Sequence, residues 1–323
     1  MFFSNKNVLV AGGTGLIGIP LVELLLEQGA RVRISSLDDV TRANPDAEFV
    51  RTDLMQPENC RAVCRGMDYV FNMLGVKGSP GVTRTKPASF LVPTIMLAFN
   101  LLEAARKEGV AGFQYASSVA VYPPSQVMCE DDVWKGFPSP NDWYGGWGKR
   151  MGELHVEACR TEYQLENLSI VRPANVYGPF DNFDPPNAMV VPSLIRRALS
   201  GEEEFRVWGD GSPVRDFIHA RDVARCMVLV AEKAPQEPVN IGSGTGVSIR
   251  RLVEIIVGNL EKQPRVVWDS SKPSGDAMRI LDSSRATALG FVPKISLEEG
   301  VREVMDWYRT KQTHDYKRYD VFA

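Results

Sequence analysis

The sequence of 323 residues has little of several features that mark particular classes of protein. It contains five cysteines, an odd number spread along the chain, which is too few for a disulfide scaffold. It contains three histidines, and neither these nor the cysteines repeat the spacing of zinc ligands, so we expect no metal site. We therefore expect a protein of the reducing cytoplasm.

The sequence also lacks a large excess of charge of one sign and long hydrophobic runs. With 37 Lys and Arg against 40 Asp and Glu, the net charge is −3 and no block is strongly basic, so we expect no nucleic-acid partner. No run of about 18 apolar residues occurs, and the N-terminal segment lacks the pattern of a signal peptide, so we expect no membrane association. The composition, 44% hydrophobic and 24% charged, is typical of globular proteins.

Short apolar segments alternate with helical patterns over the first 175 residues. Because this alternation is typical of right-handed β-α-β units, it predicts an α/β fold with a Rossmann-type, doubly wound parallel sheet. The length favours two domains: a dinucleotide-binding domain at 1–175 and mainly a smaller C-terminal α/β substrate lobe at 176–323. A helix near 220–233 is expected to return to the first domain. The predicted strands are 7–11, 32–34, 48–53, 69–73, 112–116 and 168–172, and the principal helices are 19–28, 58–65, 93–108, 147–162, 191–200, 248–260 and 296–310.

A glycine turn, GGTGLIG, stands between the first strand and the first helix. Gly12 permits a tight turn, Gly15 lets a pyrophosphate approach the backbone, and Gly18 allows the helix to pack closely on the strand. This context predicts a dinucleotide site, with an adenine contact after the third strand. The residues expected to bind the cofactor on these grounds are Gly12, Thr14, Gly15, Leu16, Ile17, Gly18, Asp53 and Leu54.

The choice between NAD and NADP depends on the end of the second strand. Ser36 holds the position where an acidic residue would bind the ribose 2′-hydroxyl, and a serine is compatible with either cofactor. Arg33 and Arg42 could pair with a 2′-phosphate, whereas Asp38 and Asp39 would oppose it. On balance the sequence favours NAD.

Several longer segments resemble the extended short-chain dehydrogenase/reductases, the group that contains nucleotide-sugar epimerases, dehydratases and reductases. The resemblance covers nearly the whole chain, and within the group it is greatest to enzymes of the GDP-L-fucose synthase type. Besides the glycine turn, the matching segments are SSVAVY (117–122), WGKRMGE (147–153), VRPANVYGP (171–179), WGDGSPVRDFIHARDVA (208–224) and VNIGSGTGVSIRRL (239–252).

The resemblance implies a catalytic set of Ser, Tyr and Lys. Ser118 and Lys149 match the serine that hydrogen-bonds the sugar oxygen and the lysine that binds the nicotinamide ribose. It also implies a homodimer through helices 94–107 and 147–162. For the substrate, a nucleotide sugar, it implies a pocket formed by Asn175, Trp208, Arg215 and Arg279.

Two of these substrate residues have ordinary alternatives. The ring of Trp208 could instead pack in the core. The guanidinium of Arg215 could instead form a salt bridge with Asp216 or Asp222.

The tyrosine of the family pattern Tyr-x-x-x-Lys is displaced. Position 145 is Gly145, and Tyr144 stands five residues before Lys149, which on a regular helix leaves the two side chains about 140° apart. Tyr144 could still be the acid/base catalyst if the helix began after it, or if a π-bulge restored the register. Otherwise Tyr144 is a structural tyrosine.

Two further departures narrow the chemistry that the resemblance implies. In enzymes of the fucose synthase type a Cys and a His perform the 3,5-epimerisation, and Ala120 and Phe180 stand in those places. The acidic residues of the 4,6-dehydratases are likewise replaced by Val119 and Ala120. What remains is NAD(P)-dependent chemistry at the sugar C4 carbinol, either 4-keto reduction or 4-epimerisation, with a GDP-sugar favoured. The alternative is a catalytically silent dinucleotide-binding sensor or scaffold that has lost the family tyrosine.

Overall fold

The computed structural model describes residues 1–76, 78, 80–185, 187–272, 275–311 and 319. The strands are β1 (Asn7–Ala11), β2 (Arg31–Ser36), β3 (Glu48–Arg51), β4 (Tyr69–Asn72), β5 (Gly112–Ala116), β6 (Val127–Met128), β7 (Leu168–Pro173), β8 (Asn175–Tyr177), β9 (Glu204–Trp208), β10 (Val214–His219), β11 (Val239–Ile241), β12 (Gly246–Ser248), β13 (Arg265–Asp269) and β14 (Met278–Leu281). The helices are α1 (Gly18–Glu27), α2 (Pro57–Cys64), α3 (Pro80–Thr85), α4 (Pro87–Lys107), α5 (Trp143–Tyr163), α6 (Val190–Ala198), α7 (Ala220–Lys233), α8 (Ile249–Gly258), α9 (Ser284–Ala288) and α10 (Leu297–Lys311).

The main sheet has seven parallel strands in the order β11-β7-β5-β4-β1-β2-β3. Helices α1 and α7 pack together on one face, and α2, α4 and α5 cover the other face. Since a parallel sheet needs both faces covered, its central strands are buried throughout, as in β4, β5 and β7. The expected doubly wound α/β fold is confirmed.

The C-terminal part of the chain contributes to both lobes. Strand β11 adds a seventh strand beside β7, and α7 packs on α1, as the expected return of that helix requires. The remaining strands form a small sheet in the order β12-β10-β14-β6, with β8 also paired to β10, and a separate parallel pair, β9 and β13. Helices α6, α8 and α10 enclose a second core beside these strands.

Two helices begin earlier than the sequence predicts. Helix α4 begins at Pro87 and continues through Pro93, because its first turns pack on α5, with Phe90 facing Gly145. Helix α5 begins at Trp143 instead of 147, directly after a short 3₁₀ turn at Pro140–Asp142. The glycines in its first turn disfavour a helix, but close packing against α4 outweighs their low propensity.

Helix α4 is long and apolar enough to cross a membrane by length and composition alone. One of its faces is buried between α2 and α5, through residues such as Leu101, Leu102 and Ala105. A core helix of an α/β fold meets the same criterion, and packing of this kind explains the apolar residues on the buried face of α4.

Candidate functional site

The glycine turn at the carboxyl end of β1 has the geometry that a dinucleotide site needs. Gly12 has φ +85°, a conformation that favours glycine. A Cβ atom at Gly18 would lie 2.3 Å from the carbonyl oxygen of Gly12, so only glycine allows α1 to approach the strand this closely. These two glycines fix the turn that directs the N-terminus of α1 towards a bound anion.

The N-terminus of α1 offers backbone N–H groups to that anion. Its N-cap residue, Ile17, has no side chain that accepts a hydrogen bond from the first turn, so the helix end is not capped from within. Thr14 and Leu16 are buried beside the turn. These residues fit a pyrophosphate. Asp53 and Leu54 follow the end of β3, where the carboxylate of Asp53 accepts a hydrogen bond from Met55 N at 2.9 Å.

Polar groups at the end of β2 form a compact network. The hydroxyl of Thr14 lies 2.7 Å from the Ser36 hydroxyl and donates to the Asp38 carboxylate at 2.7 Å. Arg42 is buried beneath this network, where it donates to the carbonyl of Thr14 at 3.2 Å and lies 3.7 Å from the Asp38 carboxylate. Arg33 pairs with Glu48 at 2.8 Å. Both arginines that could pair with a 2′-phosphate are therefore engaged with other groups.

Ser118 and Lys149 lie at the carboxyl edge of the sheet, the edge that carries the glycine turn. Ser118 follows β5 and caps a 3₁₀ turn at Val119–Val121, its hydroxyl accepting a hydrogen bond from Ala120 N at 3.2 Å. The Lys149 ammonium donates to the carbonyls of Leu74 at 3.0 Å and Ala116 at 2.7 Å, at the ends of β4 and β5. Burial lowers the pKa of Lys149 to about 8.

Tyr144 does not share the face of Lys149. Helix α5 is α-helical from Trp143 onward, so Tyr144 is already inside it, and no π-helical turn intervenes in this described segment. Five residues at 100° each place the two side chains about 140° apart, and Tyr144 is 39% exposed. The described segment shows neither of the arrangements that would bring Tyr144 to the face of Lys149, so the helix geometry does not support Tyr144 as the acid/base catalyst.

The position that matches the family tyrosine faces an apolar side chain. A Cβ atom at Gly145 would lie 3.1 Å from Cε1 of Phe90 on α4. The next residue, Gly146, is more tightly confined, since its Cβ would lie 2.4 Å from the carbonyl oxygen of Ala120. These contacts account for two glycines in the first turn of α5.

The substrate residues predicted from the resemblance lie on four different strands. Asn175 in β8 donates to the carbonyl of Asp216 at 3.0 Å, which fixes its amide. Arg215 in β10 is the direct neighbour of Arg279 in β14, because the two strands are parallel and in register there. Trp208 ends β9 and is 63% exposed, so it is not a core residue.

The two neighbouring arginines differ in their partners. Arg279 forms ion pairs with Asp142 and Asp276 and donates to the carbonyl of Val119 at 3.1 Å. Arg215 donates to the carbonyl of Val214 at 2.8 Å and, among the described residues, has no ion pair.

The salt bridges suggested for Arg215 do not form. The carboxylate of Asp216 accepts from Ser243 at 2.6 Å, and that of Asp222 pairs with Arg225 at 2.5 Å. Burial and the adjacent Arg279 lower the pKa of Arg215. A partly buried cation without an ion pair among the described residues is suited to a diphosphate.

Sequence reasoning missed the residues that surround the expected site. Phe90 and Asp142 belong to segments with no motif of their own, and Asp276 ends a segment, SKPSGD, that matches the family but was given no role of its own. A buried pair, Glu153 and Arg172, with N–O distances of 2.7 and 2.9 Å, was also missed. A charged residue one turn after Lys149 on the same helix was the available signal.

The histidines have structural surroundings where the structure describes them. His219 caps α7 by accepting from Arg221 N at 3.3 Å, and His155 stacks on Phe99 with ring centroids 4.2 Å apart. His314 lies outside the described residues. Glu103, His155 and Cys159 bring ligand atoms within 4.8 Å of one another. Because Glu103 already binds Arg106 at 2.8 Å, we assign this group to helix packing.

Comparison with known proteins agrees with this geometry. The family model described as the NAD dependent epimerase/dehydratase family matches residues 8–242. The chain belongs to this family. The predicted family, fold class and enzyme class are thus confirmed.

Named relatives cover almost the whole chain. GDP-L-fucose synthase 1 of Arabidopsis thaliana is 32% identical over 94% of this chain and 93% of its own length. A dTDP-4-dehydro-6-deoxy-D-allose reductase of Streptomyces bikiniensis is 29% identical over 95% of this chain and 97% of its own. Among solved structures, the UDP-glucose 4-epimerase of Thermotoga maritima with UDP-glucose has a TM-score of 0.83 and 29% identity, over 95% of this chain and 99% of that chain.

Proposed function

We propose that this protein is an NAD(P)-dependent reductase of 4-keto nucleotide sugars, with 4-epimerisation as the alternative outcome of the same chemistry. The observation that carries the proposal is the placement of Ser118 and Lys149 at the edge of the sheet that holds the glycine turn. The 4-keto reductase and fucose synthase names of the relatives support it.

Positions 120 and 180, where fucose synthases carry the groups that move a proton at C3 and C5, hold residues without such a group. Ala120 lies in the 3₁₀ turn after Ser118, and its methyl group has no proton to transfer. The ring of Phe180 packs against Trp307, with centroids 5.1 Å apart. The site therefore supports redox chemistry at one carbon and not the 3,5-epimerisation of fucose synthases.

The protein's contribution to this reaction is to hold and polarise the sugar carbonyl. When bound, the nicotinamide cofactor supplies or accepts the hydride at C4. Ser118 would donate a hydrogen bond to the C4 oxygen, and Lys149 would place a positive charge beside the oxygen as negative charge develops on it. Arg215 and Arg279 would bind the diphosphate, Trp208 would cover a base or sugar face, and Asn175 would hydrogen-bond the sugar.

We further propose NAD as the preferred cofactor. The carboxylate of Asp38 lies beside Ser36 and Thr14, where the added charge of a 2′-phosphate would be repelled. Arg33 and Arg42, which could have offset that repulsion, donate to protein oxygens.

A homodimer is proposed as the assembly. Helices α4 and α5 pack together and expose apolar side chains, including Val92, Met96, Phe99 and Leu154, at 36–48% of their surface. A second copy of the same helix pair would cover these side chains around a two-fold axis. The cytoplasm is the proposed compartment, since all five cysteines are free and four are buried.

The test is turnover by the purified protein with NADH or NADPH and GDP-, dTDP- or UDP-linked 4-keto-6-deoxy sugars. We expect oxidation of NADH and formation of a 4-hydroxy sugar with at least one donor, with the GDP-linked ketone as the first candidate. Cofactor binding without turnover of any ketone, and without epimerisation of any 4-hydroxy nucleotide sugar, would favour the silent sensor or scaffold instead.

A further inference from the structure

The reduction of a ketone requires a proton donor, and the displaced tyrosine leaves that role open. On the helix face of Lys149 the first turn of α5 presents glycines at 145 and 146. Tyr144 lies on a different face. The proton must therefore come from another group at the carboxyl edge of the sheet.

The other nearby tyrosines are committed to the core. The hydroxyl of Tyr122 is buried, lies 2.6 Å from Asn240 Oδ1 and accepts from Arg172 at 3.1 Å. Tyr115 is 1% exposed, and its hydroxyl abuts Gly152 on α5. Both hydroxyls are buried, so neither opens into the site. Burial also raises the pKa of both tyrosines, so both stay protonated.

Lys149, in contrast, is only partly buried and has a proton to give. Two of its three N–H groups bind the carbonyls of Leu74 and Ala116, which leaves one N–H for a third partner. Gly75, in the loop after β4, lies beside the ammonium and has no side chain to cover it. A Cβ atom at this position would lie 3.1 Å from Nζ.

Burial of Lys149 favours release of that proton, whereas the charge of Glu153 opposes it. Among the described residues, the charged group that acts on it is Glu153 on α5, whose carboxylate is shared with Arg172. On β5 the ring of Tyr115 lies 5.0 Å from Nζ and is uncharged. From β4 and β5 Lys149 meets carbonyl oxygens, so its positive charge has no direct ion pair there.

We propose, on the basis of the proposed function, that Lys149 is itself the proton donor to the sugar C4 oxygen in this protein. As the hydride forms the new C–H bond at C4, one N–H bond of the Lys149 ammonium breaks and an O–H bond forms on the sugar. The neutral amine then regains a proton from water. In the oxidative direction the neutral amine accepts the proton from the C4 hydroxyl.

Chemical rescue separates a proton donor from a mere positive charge. Lys149→Ala is expected to lower kcat by about a thousandfold, within the range for a general acid. Added methylamine or ethylamine should raise the kcat of the variant at least tenfold, and the rescued rate should vary with the amine pKa. Tetramethylammonium, which has charge but no proton, should give no rescue. The matched control is Lys135→Ala, which removes an exposed lysine and should neither lose activity nor respond to amines.

A readout that does not depend on turnover is the titration of Lys149 itself. Reductive ¹³C-methylation followed by NMR of the cofactor-free protein should show one lysine, absent from Lys149→Ala, that titrates near pH 8. The same pH should mark the alkaline decline of kcat/KM for ketone reduction. Rescue by tetramethylammonium as well as by amines, or full activity of Lys149→Ala, would overturn the proposal. Wild-type protein that turns over no ketone would overturn the proposed function instead.

Discussion

Helix α5 carries two charged residues one turn apart, Lys149 and Glu153, in opposite situations. Glu153 is fully buried but bonds Arg172 at 2.7 and 2.9 Å, so its charge is compensated. Lys149 is held by two backbone carbonyls and lacks such a pair. The compensated charge connects α5 to β7, whereas the uncompensated one is free to change its protonation state. On this comparison the first is structural and the second functional.

The largest expected effect comes from removing the uncompensated charge. Lys149→Met should lower kcat by about a thousandfold and leave the fold intact, since Met replaces a partly buried charge with an apolar chain of similar length. Circular dichroism and thermal unfolding should show a melting temperature at pH 7 at least equal to that of wild type. A melting temperature lower by 10 °C or more would contradict the assignment of Lys149 to function.

Removing one partner of the Glu153–Arg172 pair should instead lower the stability of the fold. Arg172→Met leaves the carboxylate of Glu153 buried and unpaired, which should cost about 3–5 kcal/mol in the free energy of unfolding. Urea denaturation measures this loss. The control is Arg61→Met, which removes an ion pair with Glu108 at a side chain 55% exposed and should cost less than about 1 kcal/mol. Equal losses of unfolding free energy in the two variants would contradict the structural role assigned to the Glu153–Arg172 pair.

The same contrast occurs between the two arginines of the substrate pocket. Arg215 has no ion pair among the described residues, so Arg215→Ala should chiefly weaken substrate binding, raising KM by about 10- to 100-fold. Arg279 pairs with Asp142 and Asp276, so Arg279→Ala should also lower stability by leaving those carboxylates unpaired. Steady-state kinetics and urea denaturation of both variants make the comparison. A normal KM for Arg215→Ala would contradict its role.

The pH dependence of ketone reduction should follow the charged form of Lys149. Because burial lowers the pKa of Lys149 to about 8, the ammonium dominates below that pH and the amine above it. We expect kcat/KM to be constant below pH 8 and to fall about tenfold per pH unit above it. Glu153→Gln should move this decline to lower pH, because the Glu153 charge favours the ammonium. A shift to higher pH in that variant would contradict the assigned electrostatics.

The smallest expected effect concerns the cofactor. Asp38→Ser removes the carboxylate beside Ser36, so the ratio of kcat/KM with NADPH to that with NADH should rise about tenfold. Initial rates with both cofactors measure the ratio. Asp39→Ser is a matched control, because the Asp39 carboxylate caps the turn at Val40–Arg42 instead. An equal rise of the ratio in Asp39→Ser would show that overall charge, and not the position of the carboxylate, sets the cofactor preference.

Much of the first lobe could be predicted from the sequence because its signals are local. The glycine turn, the apolar strands and the segments at Ser118 and Lys149 each define their own structure. The strand β11 could not be found this way, since three residues, Val239–Ile241, gain strand character only by pairing with β7.

The displaced tyrosine was visible in the spacing, but its consequence was not. Whether Tyr144 could reach Lys149 depended on where α5 begins, and packing of Pro138 and Phe90 on its glycines decides that start. The pairs Arg279–Asp142 and Glu153–Arg172 could not be predicted from the sequence either, because their members are more than 15 residues apart in the chain. Local sequence signals therefore predict most helices and strands of the first lobe, whereas the contacts within the site depend on tertiary packing.

The most direct test is the rate of NADH oxidation with a GDP-linked 4-keto-6-deoxy sugar, measured from pH 6 to 10 for wild type and Lys149→Ala. The account predicts turnover by wild type with a decline above pH 8, and a loss of about a thousandfold in the variant that methylamine partly restores. Wild-type turnover with no decline up to pH 10, together with a variant of unchanged rate, would contradict it.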